Sequence, residues 1–326
     1  MQPSFLEKLW YGQHPLRWLL WPFSYVFQKI SFCRRVYLQH FKQQQFSVPV
    51  IVVGNLTVGG VGKTPLVITL AKALQSRGLS VGIVSRGYRA TIKQFPYAVN
   101  IHDKANLVGD EPLLLAKKTG CPVVIAPKRT EAVEYLIAHY HSQVIISDDG
   151  LQHYAMGRDI EIIVIDGLRG LGNKLCLPAG PLREYPKRLD KVDFLIVNSG
   201  EWPQAYKMTT EPEKLINLVT GQEINIQELK GPLAAVAAIG NPQRFYMTLA
   251  GMGLNFTCYT FPDHHVFSKK DLNFVENNVI MTEKDAVKCQ AFATKNWYFL
   301  PIEAKLSDSF WNALWSHDQI KRLLAT

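Results

Sequence analysis

No two of the five cysteines (Cys33, Cys121, Cys176, Cys258, Cys289) fall at a CxxC spacing or beside histidines at metal-ligand spacing. That excludes a zinc-finger type of site and a disulfide framework, and it suits a reducing compartment. Also missing is an uninterrupted apolar run of the roughly 20 residues that a bilayer-crossing helix requires: Arg17 and Pro22 break the one long candidate. The N-terminus reads as no signal peptide, because Lys8 is followed by Trp10, Tyr11, His14 and Arg17 with no small-residue cleavage site. Internal repeats and low-complexity tracts are absent too, so neither a solenoid nor a disordered chain is expected. Acids are short overall: 27 Asp and Glu against 36 Lys and Arg leave a formal charge of +9, which points to a negatively charged partner without choosing among nucleic acid, membrane and phosphorylated substrate.

What the chain does have is core. Of its 326 residues 47% are hydrophobic, enough for one large α/β domain or two modest ones. Residues 1–45 stand apart in composition. Phe5, Trp10, Tyr11, Trp18, Trp21, Phe23, Tyr25, Phe27, Phe32, Tyr37 and Phe41 are interleaved with Lys8, Arg17, Lys29, Arg34, Arg35 and Lys42, and Glu7 is the single acid. This is the composition of an amphipathic helix lying in a membrane interface, with rings at headgroup depth and cations toward anionic lipid. The alternative is a helix packed on the protein's own core with a basic outer face.

From residue 46 the rhythm becomes strand, loop, helix. Residues 48–53 form a near-continuous apolar run, as expected of a strand covered on both faces, and a helix is expected over 63–76, ending at Gly78. Further strands are expected at 81–85, 123–126, 144–147, 160–165 and 194–198. Such alternation predicts an α/β fold with a doubly wound, mostly parallel sheet over 46–222. The rhythm fades and restarts at 233–239, 241–250 and 256–261, which is read as a second, smaller α/β lobe over 223–326.

Between the first strand and helix runs GNLTVGGVGKTP (54–65). Glycines let backbone N–H groups turn inward around phosphate oxygens, and the helix N-terminus adds a favourable dipole. Thr57, Val58, Gly59, Gly60, Val61, Gly62, Lys63 and Thr64 are therefore the expected ATP cradle, Lys63 reaching the β- and γ-phosphates and the Thr64 hydroxyl ligating Mg2+. The usual G-x-x-x-x-G-K-[ST] spacing would put glycine where Thr57 stands. A phosphate loop also needs a carboxylate at the end of a neighbouring strand, which VIISDDG (144–150) supplies as Asp148 and Asp149; the sequence leaves open which of them takes the metal. By their residue types alone, Asp110 in GDEP and His264 in the pair His264-His265 read as an ordinary turn and a capping or solvent-facing histidine.

Read in order, TVGGVGKTP (57–65), SRGY (85–88), GDEP (109–112), DDGLQH (148–153), LPAGPLRE (177–184), Asp263-His264 and MTEKD (281–285) closely resemble the tetraacyldisaccharide 4'-kinases of lipid A synthesis, from the N-terminal segment to about Lys288. The resemblance implies transfer of the ATP γ-phosphate to the 4'-hydroxyl of a tetraacylated glucosamine disaccharide 1-phosphate. It places the enzyme peripherally at the cytoplasmic face of a bacterial inner membrane, with the acylated substrate and the anionic surface as partners, and with no nucleic acid and no obligate protein partner. Thr57 fits, since that family's loop resembles T-x-G-G-x-G-K-T-P. By the same resemblance Asp110 activates the sugar hydroxyl with help from His264. Asp148, Asp149 and Glu184 lie around metal and phosphates, Asp148 grouped with Lys63 as catalytic and Asp149 and Glu184 with Thr64 as metal-side. Two rivals remain. A partitioning ATPase has a similar loop, but its signature lysine site is Val58 here; a nucleic-acid-binding ATPase would need clustered basic residues and a recognised motif, and neither is present.

Overall fold

The computed structural model describes residues 5–229 and 231–325; residues 1–4 of the expected N-terminal segment lie outside them. Strand Val50–Gly54 sits near the middle of a nine-stranded sheet. Its order, edge to edge, is Ile302–Leu306, Tyr206–Pro212, Phe194–Asn198, Ile160–Asp166, Val50–Gly54, Val144–Asp148, Val81–Ser85, Val123–Ile125 and Tyr97–Ala98. All neighbours run parallel except the pair at each edge. The central strand is apolar throughout because both faces are covered: Ile51 and Val53 join a core with helix Lys63–Gln75, while Val50 and Val52 join a second core with Ala132, Val133 and Leu136 of helix Arg129–Tyr140. Helix Lys63–Gln75 buries Leu66, Val67, Ile68, Leu70, Ala71 and Leu74. Each large side chain so buried contributes about 1.5–3 kcal/mol, so the helix that opens at the phosphate loop is firmly seated.

A six-stranded sheet forms the smaller lobe, in the order Glu223–Ile224, Leu215–Asn217, Trp297–Leu300, Asn278–Thr282, Leu233–Ala237 and Thr257–Thr260. Residues 241–250, part of the restarted rhythm, fold as helix Pro242–Gly251. The lobe differs from the expected 223–326 at both ends. It begins with Leu215–Asn217, and the chain leaves it after Leu300: strand Ile302–Leu306 returns to the edge of the large sheet, and Phe310, Leu314 and Ile320 of the terminal helices fill the large sheet's core. A single residue, Pro301, separates the strands of the two sheets, so apolar periodicity carried no sign of the change.

The N-terminal segment forms helices Phe5–Tyr11 and Leu16–Phe41. The long helix rests on the large lobe through the buried Ser24 and through Phe27, while Trp18, Leu19, Phe23, Ile30 and Phe41 stand 55% or more exposed at 67%, 70%, 63%, 61% and 73%. The helix thus packs on the large lobe, as the alternative reading has it, and leaves these five side chains exposed. Among the described residues, no helix is long and apolar enough to cross a membrane.

Candidate active site

Strand Val50–Gly54 ends and helix Lys63–Gln75 begins on either side of the loop at 55–62. Gly62 caps the helix with φ of 96°, in the left-handed region, and a Cβ there would come within 2.3 Å of the Asn198 amide. Glycine is thus required twice over, by conformation and by space. The Asn198 side chain in turn donates to the Val61 carbonyl at 2.9 Å. Thr57, where a glycine is usual, is buried and bridges to Leu182; the Val58 N–H donates to the Pro181 carbonyl at 2.8 Å and the Arg183 N–H to the Leu56 carbonyl at 2.7 Å. The LPAGPLRE stretch is one wall of the phosphate loop, and a residue with a Cβ at 57 suits this strand-like pairing.

That wall is braced from outside by the N-terminal helices. The Ser24 hydroxyl donates to the Cys176 carbonyl at 2.7 Å and accepts the Ala179 N–H at 2.9 Å, and the Trp10 indole donates to the Pro178 carbonyl at 3.0 Å.

Lys63 Nζ donates to Asn55 Oδ1 at 2.9 Å and lies 3.3 Å from Asp149, whose two carboxylate oxygens each sit 3.0 Å from Arg183 Nη1. Burial alone would raise the pKa of Asp149, but Lys63, Arg183 and Arg129 outweigh it and hold the group well below the usual carboxylate range. Its neighbour differs. Asp148 is 2% exposed, ends the strand paired with Val53, and its Oδ1 has no hydrogen-bond partner among the described residues. Burial, with the charges of Glu111 and Asp149, pushes its pKa up. A buried oxygen with no donor is an open coordination position. Together with the Thr64 hydroxyl at the head of the helix and the glycine cradle, this donor set fits a magnesium nucleotide. Glu184 is also buried, its oxygens accepting from the Tyr154 hydroxyl at 2.6 Å and the Gln152 amide at 3.1 Å, with Arg35 of the N-terminal helix 3.7 Å away.

A second cluster spans the lobes. Asp110 heads helix Asp110–Thr119 of the large lobe, and His264, at φ of 59°, sits in the turn after strand Thr257–Thr260 of the small one. His264 Nδ1 lies 3.0 Å from both oxygens of Asp110. The Tyr88 ring meets the imidazole edge-on at 5.1 Å, and Arg89 donates to the His264 carbonyl at 2.9 Å. Asp110 is buried, which would raise its pKa, yet the hydrogen bond from His264 and the charges of Lys284, His264 and Lys288 hold it at about 2. The site thus sets an ionised carboxylate against an imidazole, the two group types most used in proton transfer.

The two clusters face one cleft. A Cβ on Gly240 would stand 2.9 Å from the Gly60 nitrogen and 3.4 Å from Asp263 Oδ2, so the loop after strand Leu233–Ala237 comes close to the phosphate loop on one side and to the turn carrying His264 on the other. The lobes are also tied by Arg244 to Asp166 at 3.0 Å. Of the expected residues, the structure brings Lys63 to Asp149 and Asp110 to His264, and holds Glu184 against Tyr154 and Gln152. The residues alone gave no reason to single out Asn55, Gly240, Arg183 or Lys284; Arg183 and Lys284 do fall inside the LPAGPLRE and MTEKD strings that carry the resemblance.

A family model described as tetraacyldisaccharide-1-P 4'-kinase matches residues 16–319. The tetraacyldisaccharide 4'-kinase of Legionella pneumophila (strain Lens) is 58% identical over 317 residues, covering 97% of this chain and 98% of that protein. The one from Shewanella halifaxensis is 46% identical over 329 residues, covering 99% of each. Among solved structures, the "apo" form of LpxK from Aquifex aeolicus in complex with ATP superposes with a TM-score of 0.79 at 29% identity, over 95% of this chain and 99% of that one.

Proposed function

The chain belongs to the tetraacyldisaccharide-1-P 4'-kinase family, and we propose from that premise how its cleft carries out the family's reaction. The reaction is ATP-dependent transfer of the γ-phosphate to the 4'-hydroxyl of a tetraacylated disaccharide 1-phosphate, a step in lipid A synthesis. Thr57 to Thr64 cradle the nucleotide phosphates. Lys63, already ion-paired with Asp149, meets their charge. Thr64, Asp148, Asp149 and Glu184 are the residues that would hold magnesium, which when bound neutralises charge on the phosphates. Asp148 contributes the unpartnered oxygen, whereas the Glu184 oxygens already accept from Tyr154 and Gln152.

On the other side of the cleft Asp110 accepts the proton of the sugar hydroxyl as the new O–P bond forms, and His264 orients the carboxylate and shares the proton. Phosphoryl transfer has a loose transition state, so most of the catalysis is charge stabilisation and positioning. The observation that supports this reading most directly is the place of Gly240, which lies close to Gly60 of the phosphate loop and to Asp263 beside His264.

The rest concerns the surface on which it works. A lipid with four acyl chains does not leave a bilayer cheaply, at about 0.8 kcal/mol per buried CH2, so the enzyme goes to the membrane. The exposed Trp18, Leu19, Phe23, Ile30 and Phe41, with Lys29 and Arg34 among them, suit docking at the anionic cytoplasmic face of the inner membrane. Incubating the purified protein with labelled ATP and a membrane-dispersed disaccharide monophosphate tests the reading. A gain of one phosphate at the 4'-position, measured by mass spectrometry, supports it, and an unmodified lipid beside hydrolysed ATP contradicts it.

A further inference from the structure

Helix Leu16–Phe41 presents different sides to the solvent and to the large lobe. Leu19, Phe23, Ile30 and Phe41 fall at spacings that keep them on one side, and all stand exposed. Ser24, Phe27 and Arg35 fall on another side and meet the large lobe. Arg35 is the charged member of that inner side. Its side chain is largely buried, and its Nε is buried without a hydrogen-bond partner among the described residues. Nη1 lies 3.7 Å from Glu184 Oε2, and the guanidinium carbon stands 5.8 Å from the centre of the Tyr154 ring.

Burying a carboxylate is costly without a counter-charge, and Glu184 is buried. The neighbouring cations are engaged elsewhere. Arg188, 4.0 Å away, is held by both oxygens of Glu161, and the adjacent Arg183 by both oxygens of Asp149. Arg35 is therefore the cation left to answer Glu184.

Glu184 in turn fixes the next group. Its Oε1 accepts from Gln152 Nε2 at 3.1 Å, and the same nitrogen donates to the Asn55 main-chain carbonyl at 3.3 Å. The Gln152 amide oxygen accepts from Arg183 at 3.4 Å, and its main-chain carbonyl from Arg34 at 3.3 Å. With a carboxylate on one side and a guanidinium on the other, the Gln152 amide has one orientation that satisfies both. Asn55, fully buried, opens the phosphate loop: its Nδ2 donates to the Thr57 carbonyl at 2.6 Å and its Oδ1 accepts Lys63 Nζ at 2.9 Å. An unbroken series of polar contacts thus runs from Arg35 through Glu184, Gln152 and Asn55 to Lys63. In a water-poor interior the geometry of each member of such a network depends on the others.

We propose that Arg35 is a positioning residue of the nucleotide site, which sets Lys63 for the phosphates through Glu184, Gln152 and Asn55. The proposal rests on the reading of Lys63 as the phosphate-binding lysine. Arg35 acts by fixing the Glu184 carboxylate, not by contact with the nucleotide. The helix whose outer side suits lipid therefore carries, on its inner side, part of the support of the ATP site.

The test uses the full chain as wild type, as Arg35→Met, which keeps an apolar stem on Tyr154 without the charge, and as Arg35→Lys, which keeps the charge. Affinity for a non-hydrolysable ATP analogue is titrated with magnesium and again in EDTA, beside KM for ATP, KM for lipid in detergent and co-sedimentation with anionic vesicles. Arg35→Met should weaken analogue binding and raise KM for ATP by about fivefold or more, in EDTA as with magnesium. Vesicle binding and KM for lipid should stay as in wild type, and Arg35→Lys should recover most of the loss. Gln152→Ala should weaken analogue binding too, and its combination with Arg35→Met should be little worse than the poorer single variant, because coupled losses do not add. Unchanged analogue affinity in Arg35→Met overturns the proposal, as do losses that multiply in the double variant. A loss confined to magnesium overturns it as well, since the residue would then act on the metal side and not through Lys63. Lys63→Ala, titrated alongside, separates the two levels: if it keeps analogue affinity the reading of the phosphate loop is wrong, whereas a weakened Lys63→Ala beside an unchanged Arg35→Met removes Arg35 alone.

Discussion

The two sides of the cleft are built in opposite ways. The nucleotide side is local: strand, loop and helix within residues 50–75 supply the cradle, and the adjacent parallel strand delivers Asp148 opposite Val53. The hydroxyl side is assembled from a distance. Asp110 and His264 are separated by 154 residues, sit on different lobes and meet only through tertiary packing. A phosphate binds backbone N–H groups, which any contiguous loop of the right geometry presents. Removing a proton from an alcohol requires a positioned side chain that accepts it, and that side chain and its partner can come from anywhere in the chain.

If the contrast is sound, damage to the two sides should be distinguishable: loss on either side should cost turnover heavily, but only loss on the nucleotide side should also weaken nucleotide binding. Lys63→Ala removes the charge that faces Asp149 and the phosphates, and should lower kcat/KM by about 10²–10³-fold or more, with weakened nucleotide binding. Steady-state kinetics on the folded variant checks this, and near-normal turnover would erase the distinction. A smaller effect is expected at the joint between the sides. Arg244→Ala breaks the contact with Asp166, which keeps the N–H groups of Leu168 and Arg169, so the cost is about 1 kcal/mol and a roughly fivefold fall in kcat/KM. The smallest effect on chemistry should come from the outer surface. Trp18→Ser combined with Phe41→Ser removes exposed rings that touch neither cluster, and should release the protein from anionic vesicles and raise KM for lipid while KM for ATP and kcat in detergent hold. Deleting the whole N-terminal segment would be a poorer probe, because Trp10 and Ser24 brace the wall of the phosphate loop.

The same contrast explains what the sequence revealed. Strands Val81–Ser85 and Phe194–Asn198 lie at the positions that apolar runs indicate, and helix Lys63–Gln75 ends within a residue of expectation, because a sheet covered on both faces writes its strands as unbroken apolar segments. The return of Ile302–Leu306 to the large sheet was illegible, since one proline between two short strands leaves no sign of which sheet each joins. GDEP and Asp263-His264 look like turns by residue type, and only the ordered resemblance to a family singled them out. Lys284 looks like a surface lysine on a short helix; its surroundings of Glu111, Asp110 and Asp263 exist only in the folded chain.

The account stands or falls on whether Asp110 and His264 act as one unit, and a double-mutant cycle on kcat measures that directly. Asp110→Ala and His264→Ala should each lower kcat by about 10²–10⁴-fold with nucleotide binding retained. The double variant should then be little worse than the poorer single one, because losses within a unit do not add. Fully multiplicative losses would show two independent residues, and an unchanged kcat in Asp110→Ala would take the carboxylate out of the mechanism.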